Sequence, residues 1–124
     1  MAEKTAAFAK EVVNKAVEIN GLKVVKFDFS IDPVMIRNAA ALIQKEVSDF
    51  VLAAAFEFDG KPNLVLMYSP DLVAKGKNAG KDIREAAKFI MGGGGGQPGL
   101  ATAGGKKTEG LKEALDKLVE TATA

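Results

Sequence analysis

Five consecutive glycines, Gly92 to Gly96, constrain the fold of this 124-residue chain more than any other feature of its sequence. Glycine is a poor helix former and loses more conformational freedom on folding than any other residue. The apolar periodicity before the run predicts a helix over residues 81–91, which must end at the glycines. We expect residues 92–105 to form a loop, which could contain a short strand at residues 100–103.

Hydrophobic patterning predicts helices and strands on both sides of this loop. Asp59-Gly60 between two apolar runs indicates a β-hairpin, and the almost wholly apolar segment 64–67 indicates a strand covered on both faces. The other predicted elements are a helix over 4–19 that stops at Asn20-Gly21, a strand over 22–30, a helix over 33–48 capped by Asp32, strands over 51–58 and 62–69, a helical turn after Ser69-Pro70, and a last helix capped by Thr108. The order αβαββα-loop-α predicts an α/β fold of the α+β type, in which helices pack on a mixed sheet.

The composition excludes several classes of function. The chain has no cysteine and no histidine, and therefore no disulfide framework, no thiolate nucleophile, no Ser-His-Asp triad and no ordinary zinc or haem site. No apolar stretch approaches the roughly 20 residues of a transmembrane helix, and the first residues lack a signal-peptide pattern. We therefore expect a cytoplasmic binding or structural module with no membrane contact.

The glycine run matches two nucleotide-binding motifs only superficially. Gly94-x-Gly96-x-x-Gly99 has the dinucleotide spacing, but a helix precedes it where a strand is required. Gly99 and Gly104 have the P-loop spacing, but Gly105 stands where lysine is needed. Two interpretations remain: a flexible connector, or a backbone surface that approaches a phosphate or ribose closely. The entropic cost of ordering glycines favours the contact surface.

Basic residues are concentrated near the glycines, although 17 Lys and Arg against 16 Asp and Glu leave the whole chain almost neutral. Such a cluster could hold a nucleic-acid backbone, or could be an ordinary solvated helix face. Acidic residues of the last helix alternate with lysines and fit a solvated face better than a metal site. The candidate basic residues are Lys75, Lys77, Lys81, Arg84, Lys88, Lys106 and Lys107.

The apolar stripe of the first predicted helix covers about half of its circumference, which is wide for one contact face. Either the helix packs within the chain, or it forms a contact between copies. We expect residues 1–20 to end a longer helical or oligomerisation segment and residues 21–124 to form the globular domain.

Residues 92–105 closely resemble the glycine-rich signature of the C-terminal domain of alanyl-tRNA synthetase, a DHH-associated domain. Segments 20–24, 61–65, 77–81 and the last helix are similar to that family as well, so the resemblance covers nearly the whole chain. Gln97 departs from the pattern, because the family usually has a basic residue after the glycine run.

The resemblance implies a noncatalytic domain that binds the outer corner, or elbow, of alanine-specific tRNA and helps present the tRNA to the aminoacylation and editing sites. It implies partners in the other domains of the synthetase, a homodimer contact through the preceding helix, and no cofactor here, since ATP and zinc belong to other parts of such an enzyme. Alternatives are an oligomerisation module or a substrate-binding domain like those of DHH phosphoesterases, although their loop usually carries a histidine. We expect the tRNA contacts to be Gly92, Gly93, Gly94, Gly95, Gly96 and Gln97 with the seven basic residues named above.

Overall fold

A six-stranded mixed sheet is the frame of the computed structural model, which describes residues 2–124. The strand order is β1-β2-β3-β4-β6-β5, in which β2 and β3 are parallel and the other neighbours antiparallel. The predicted α+β fold with a mixed sheet is thereby confirmed. The strands are β1 (Val17–Ile19), β2 (Leu22–Phe27), β3 (Phe50–Phe58), β4 (Lys61–Tyr68), β5 (Gly93–Gly96) and β6 (Leu100–Gly104), and the helices are α1 (Ala2–Asn14), α2 (Pro33–Gln44), α3 (Pro70–Ala74), α4 (Ala79–Ala87) and α5 (Leu111–Thr123).

The β3–β4 hairpin divides the apolar core into two layers. Its turn residues, Asp59 and Gly60, both have positive φ (56° and 76°), as a tight two-residue turn requires. Along β4, Leu64 and Leu66 join the core beneath α4 and α5, whereas Val65 and Met67 join the core beneath α1 and α2. All four side chains are buried, which confirms the predicted strand covered on both faces.

The predicted first helix is too long at its carboxyl end. α1 ends at Asn14, and residues 17–19 form β1, which pairs antiparallel with β2. Asn20 and Gly21 have φ of 51° and 82° and form the turn between the two strands. An Asn-Gly pair between apolar residues favours a tight hairpin, and here that preference prevails over helix termination.

The start of the last helix also differs from the prediction, whereas the α2 cap is confirmed. Thr108–Gly110 forms a 3-10 turn, and α5 begins after Gly110 without a side-chain cap. A Cβ atom at Gly110 would overlap the carbonyl oxygen of Phe89, so close packing determines the conformation there. In α2, the backbone N–H of Val34 donates to Asp32 Oδ1 at 2.8 Å.

Packing within the chain accounts for part of the wide apolar stripe of α1. Ala9 and Val12 are buried in the layer beneath α1 and α2, and the rings of Phe8 and Phe27 meet edge to face at 5.8 Å. Met1 lies outside the described residues, and the division of the chain at residue 20 stays a prediction. Within residues 2–124, no helix combines the length and apolar character needed to cross a bilayer.

Tyr68 links three elements at the end of β4. Its hydroxyl donates a 2.6 Å hydrogen bond to Asp82 of α4. The ammonium group of Lys77 lies 5.9 Å from the ring centre and donates to the carbonyl of Thr121 in α5. Burial, together with the hydrogen bond and negative charge of Asp82, raises the pKa of Tyr68 well above its ordinary value of about 10.

We predict that Tyr68, the single tyrosine of the chain, keeps its proton until the protein unfolds. An unfolded tyrosine ionises near pH 10, whereas the folded one does not. The stability that this difference provides is therefore fully present below about pH 10 and falls above it, by about 1.4 kcal/mol per pH unit. Tyrosinate absorbance and circular dichroism, followed together during alkaline titration, should change together.

Tyr68→Phe is the matched control for this titration, because it removes the ionising group and keeps the ring. Its free energy of unfolding should fall less steeply above about pH 10, because the contribution of Tyr68 is absent. Tyrosinate absorbance that rises near pH 10 while the circular dichroism stays native would contradict the prediction.

Candidate nucleic-acid interface

The glycine run is a strand and not a loop, which corrects the prediction for these residues. Gly93–Gly96 forms β5 and pairs antiparallel with β6, from Gly93 opposite Gly104 to Gly96 opposite Ala101. Gln97 and Leu100 exchange backbone hydrogen bonds of 3.0 and 3.3 Å that close the turn. The short strand expected at residues 100–103 is confirmed and extends to Gly104. The backbone of the glycines is thus ordered by pairing at the edge of the sheet.

Alternate glycines of the run are required by the packing of β5 on β6. A Cβ atom at Gly92 would overlap the carbonyl oxygen of Gly104. Cβ atoms at Gly94 and Gly96 would collide with backbone atoms of β6 in the same way. Backbone atoms cannot rotate aside as a flexible side chain can, so these three positions admit no side chain without a shift of the strands.

Gly93 and Gly95 are different, because the described packing leaves room for a side chain at both. A Cβ atom at Gly93 would meet nothing within 4 Å. One at Gly95 would meet only the Arg84 side chain, whose nearest nitrogen is 3.4 Å away. Neither glycine has a positive φ. Gly93 and Gly95 therefore present bare backbone that folding itself does not demand.

Helix α4 begins directly against this hairpin. Its cap, Asn78, accepts a 3.1 Å hydrogen bond from the N–H of Lys81, and the N–H of Ala79 donates to the carbonyl of Pro98 at 2.8 Å. A Cβ atom at Gly80 would lie 2.8 Å from the carbonyl oxygen of Gly96, so a small residue is needed at this contact. These contacts between the start of α4 and the turn of the hairpin determine where the basic side chains of α4 lie.

The structure brings five of the seven predicted basic residues to elements that adjoin the glycine strand. Lys81, Arg84 and Lys88 are exposed on α4 and the 3-10 turn that follows it, and the Lys88 ammonium lies 3.0 Å from Glu85. The N–H groups of Lys106 and Lys107 both donate to the carbonyl of Ile90, just before the run. Arg84 comes nearest to the glycines.

Lys75 and Lys77, in contrast, are engaged by other parts of the chain. The Lys75 ammonium lies 3.8 Å from Asp49, and Lys77 is held between Tyr68 and Thr121 as described above. Both residues were candidates because they are near the glycine run in the sequence, but their side chains contact other elements. Gln97 lies exposed in the hairpin turn.

A shallow groove, which we call the hairpin groove, runs between α2 and the β5–β6 hairpin. It consists of three adjoining depressions of about 680, 340 and 360 Å³. Arg37 and Thr102 line both the first and the second, and Asn63 and Gly104 line both the second and the third. Among the described residues, the charged ones that line it are Arg37, Lys61 and Lys106, with no Asp or Glu.

Sequence patterning missed Arg37 and Lys61 as candidates for the site. Arg37 lies on the exposed side of α2, but the position of that helix beside the hairpin is a tertiary feature. Lys61 follows a recognisable turn, yet only the order of strands in the sheet brings it near β6. Within the described part of the chain, no three His, Cys, Asp or Glu residues cluster as a metal site would require.

The fold and the glycine hairpin belong to a known family. The chain is a member of the DHHA1 domain family, whose model matches residues 8–124. It is 43% identical to the alanine–tRNA ligase of Bacteroides thetaiotaomicron over 98% of this chain and 14% of that protein. It is 47% identical to the enzyme of the same name from Parabacteroides distasonis over 95% of this chain and 14% of that protein. The chain thus spans about a seventh of the length of these relatives.

Solved structures agree with the sequence comparison. The C-Ala domain of Aquifex aeolicus alanyl-tRNA synthetase matches with a TM-score of 0.77 and 29% identity, over 89% of this chain and 99% of that one. A DHH-domain protein, described as a member of a family of ribosomal proteins, shares the fold at a TM-score of 0.65 and 14% identity, over 98% of this chain and 31% of that one. The resemblance to the C-terminal domain of alanyl-tRNA synthetase is therefore confirmed.

The two classes of glycine predict effects of very different size for a small substitution. Gly94→Ala should lower the free energy of unfolding by about 1–3 kcal/mol, because its methyl group must displace the backbone of β6. Gly93→Ala, one residue away, should change it by less than about 0.5 kcal/mol. Urea denaturation followed by circular dichroism measures both. Equal effects of the two substitutions would disprove the distinction between glycines that packing on β6 requires and glycines that it does not.

Proposed function

We propose that this chain is a noncatalytic tRNA-binding domain that contacts the elbow of an alanine-specific tRNA. The observation that carries the proposal is the bare backbone of Gly93 and Gly95, which the packing of the chain does not require and which at Gly95 lies beside Arg84. The similarity to alanine–tRNA ligases and to a C-Ala domain supports tRNA as the partner.

The mechanism is recognition of shape and charge. The elbow of a folded tRNA presents unstacked bases, phosphates and 2′-hydroxyl groups, which a flat backbone surface can approach closely. Peptide groups at Gly93 and Gly95 would hydrogen-bond to ribose or phosphate, since no Cβ keeps the RNA away. Lys81, Arg84 and the pair Lys106-Lys107 would neutralise neighbouring phosphates, and Lys88 would contribute after release from Glu85.

Within a complete synthetase, the domain would hold the tRNA elbow while the acceptor end visits the aminoacylation and editing sites. Its partners would then be the tRNA and the other domains of the enzyme, in the cytoplasm. This role needs no cofactor in the chain itself, since ATP and zinc would serve the other domains.

A homodimer contact is the second candidate, and exposed apolar side chains favour it. Val17 and Phe29 are 54% and 59% exposed, and the Phe29 ring meets that of buried Phe27 edge to face at 5.4 Å. Deleting residues 1–20 would remove Ala9 and Val12 from the core and β1 from the sheet. The intact chain is therefore the right sample, and a monomer mass at every concentration in sedimentation would eliminate this candidate.

The proposal predicts salt-sensitive binding of the 124-residue chain to folded alanine-specific tRNA. Four or five phosphate contacts give a slope of log K against log salt of about −3 to −4. Raising KCl from about 50 to 200 mM should then weaken binding by roughly 60- to 250-fold. Fluorescence anisotropy with labelled tRNA measures this. Absence of binding at low salt, or binding unaffected by salt, would refute the proposal.

The same titration locates the contact when glycine variants are included. Gly93→Val and Gly95→Val should weaken binding at least about tenfold with an unchanged circular dichroism spectrum, because the domain leaves room for a Cβ atom at both positions and a branched side chain there separates the backbone from the RNA. Ala7→Val, on the exposed side of α1, is the matched control and should bind as the unaltered chain does. If the glycine variants also bind normally, the RNA contact lies elsewhere.

A further inference from the structure

The two arginines of the chain lie on opposite faces of the sheet, and both are near the glycine hairpin. Arg84 extends from α4, which packs on one face, and approaches Gly95. Arg37 extends from α2, which packs on the other face, and lines the hairpin groove beside Thr102. Arginine is well suited to phosphate because its planar guanidinium can donate two parallel hydrogen bonds.

Arg37 is free to bind an anion. It is exposed, and within the described residues its guanidinium has no ion-pair partner. Helix α2 itself contains no acidic residue. The carboxylate at its start, Asp32, is occupied in capping the helix. The positive charge of Arg37 is therefore not neutralised by its own helix.

The surface around Arg37 complements a sugar–phosphate backbone. No carboxylate lines the hairpin groove among the described residues, and Lys61 and Lys106 add positive charge at one end. Thr102 and Asn63 supply polar groups between the cations; the amide of Asn63 donates to the carbonyl of Lys61, which leaves its side-chain oxygen free to accept. Such oxygens suit 2′-hydroxyl groups, which can donate a hydrogen bond.

The register of the sheet places the bare glycines along the same groove. Gly95 lies opposite Thr102, and Thr102 lies opposite Val65 of β4, whose side chain faces α2. Gly93 lies opposite Gly104 in the same alternation. Both Gly93 and Gly95 line the depressions beside α2. An RNA strand over these glycines would therefore meet Arg37 on one side and Arg84 on the other.

We infer that the hairpin groove is the binding site for a sugar–phosphate segment of the RNA and that Arg37 is a phosphate contact in it. The inference rests on the proposed tRNA-binding function and adds to it a surface, the α2 side of the hairpin, that the basic face of α4 does not include. Arg37 and Gln97 line the same depression of this groove.

The test compares Arg37→Ala with the unaltered chain by anisotropy against folded alanine-specific tRNA. Loss of one charge-assisted contact should weaken binding about tenfold or more and reduce the salt slope by about one. Arg37→Lys should keep the salt slope and recover part of the affinity, because the charge remains while the guanidinium fork is lost. Both variants should keep the thermal midpoint of the unaltered chain, since the residue is exposed.

Lys45→Ala is the matched control, because Lys45 follows the same helix but lines the depression between α1 and α2. It should bind almost as the unaltered chain does. Failure of the unaltered chain to bind would overturn the proposed function itself. If the unaltered chain binds and Arg37→Ala binds equally well, the inference that the groove binds RNA through Arg37 is wrong, while the proposed function stands. Equal losses for Arg37→Ala and Lys45→Ala would also overturn the groove, because they would indicate a diffuse charge effect.

Discussion

The close approach of two backbones, β5 and β6, is the contact on which the candidate site depends. The strands meet where Gly92, Gly94 and Gly96 have no side chains to keep them apart. Helix α4 is seated against the same hairpin, because Gly80 brings its first turn onto the backbone of Gly96. A side chain at any of these positions would displace the hairpin, the helix or both. The position of the basic residues on α4 follows from this packing.

The same packing separates the glycines that build the site from those that could use it. Folding accounts for alternate members of the run and leaves Gly93 and Gly95 without a structural requirement. Within the run of five glycines, positions that folding requires therefore alternate with positions that it does not require. This alternation has the two-residue period of a β-strand. Contact with the backbone of β6 requires glycine at one set of positions, and the other set is available to a partner.

Local patterns predicted the elements whose structure depends on near neighbours in the sequence. The Asp59-Gly60 turn, the Asp32 cap and the helix before the glycine run are of this kind. The glycine strand was missed because glycine has a low strand propensity, and its pairing with β6 is a tertiary interaction. At Asn20-Gly21 a helix stop and a hairpin turn compete, and only the neighbouring β2 decides between them.

Charge at the site was predictable only in part. Counting residues along the chain identified α4 and Lys106-Lys107, but it also included Lys75 and Lys77, which other elements engage. It omitted Arg37, which lies far before the glycines in the sequence and reaches them through the packing of α2. A net charge of +1 conceals a groove that, among the described residues, no carboxylate lines. Local composition of a surface, and not the total, determines how an anionic partner is attracted.

The central claim is that RNA touches the backbone of Gly93 and Gly95, and the amide signals of these residues test it most directly. The ¹⁵N-labelled chain would be titrated with unlabelled alanine-specific tRNA and followed by NMR. The account predicts that the signals of Gly93, Gly95 and Thr102 shift or broaden, while that of Gly21 in the β1–β2 turn stays unchanged. Perturbations confined to other surfaces, with the signals of Gly93 and Gly95 unaltered at saturating tRNA, would contradict it.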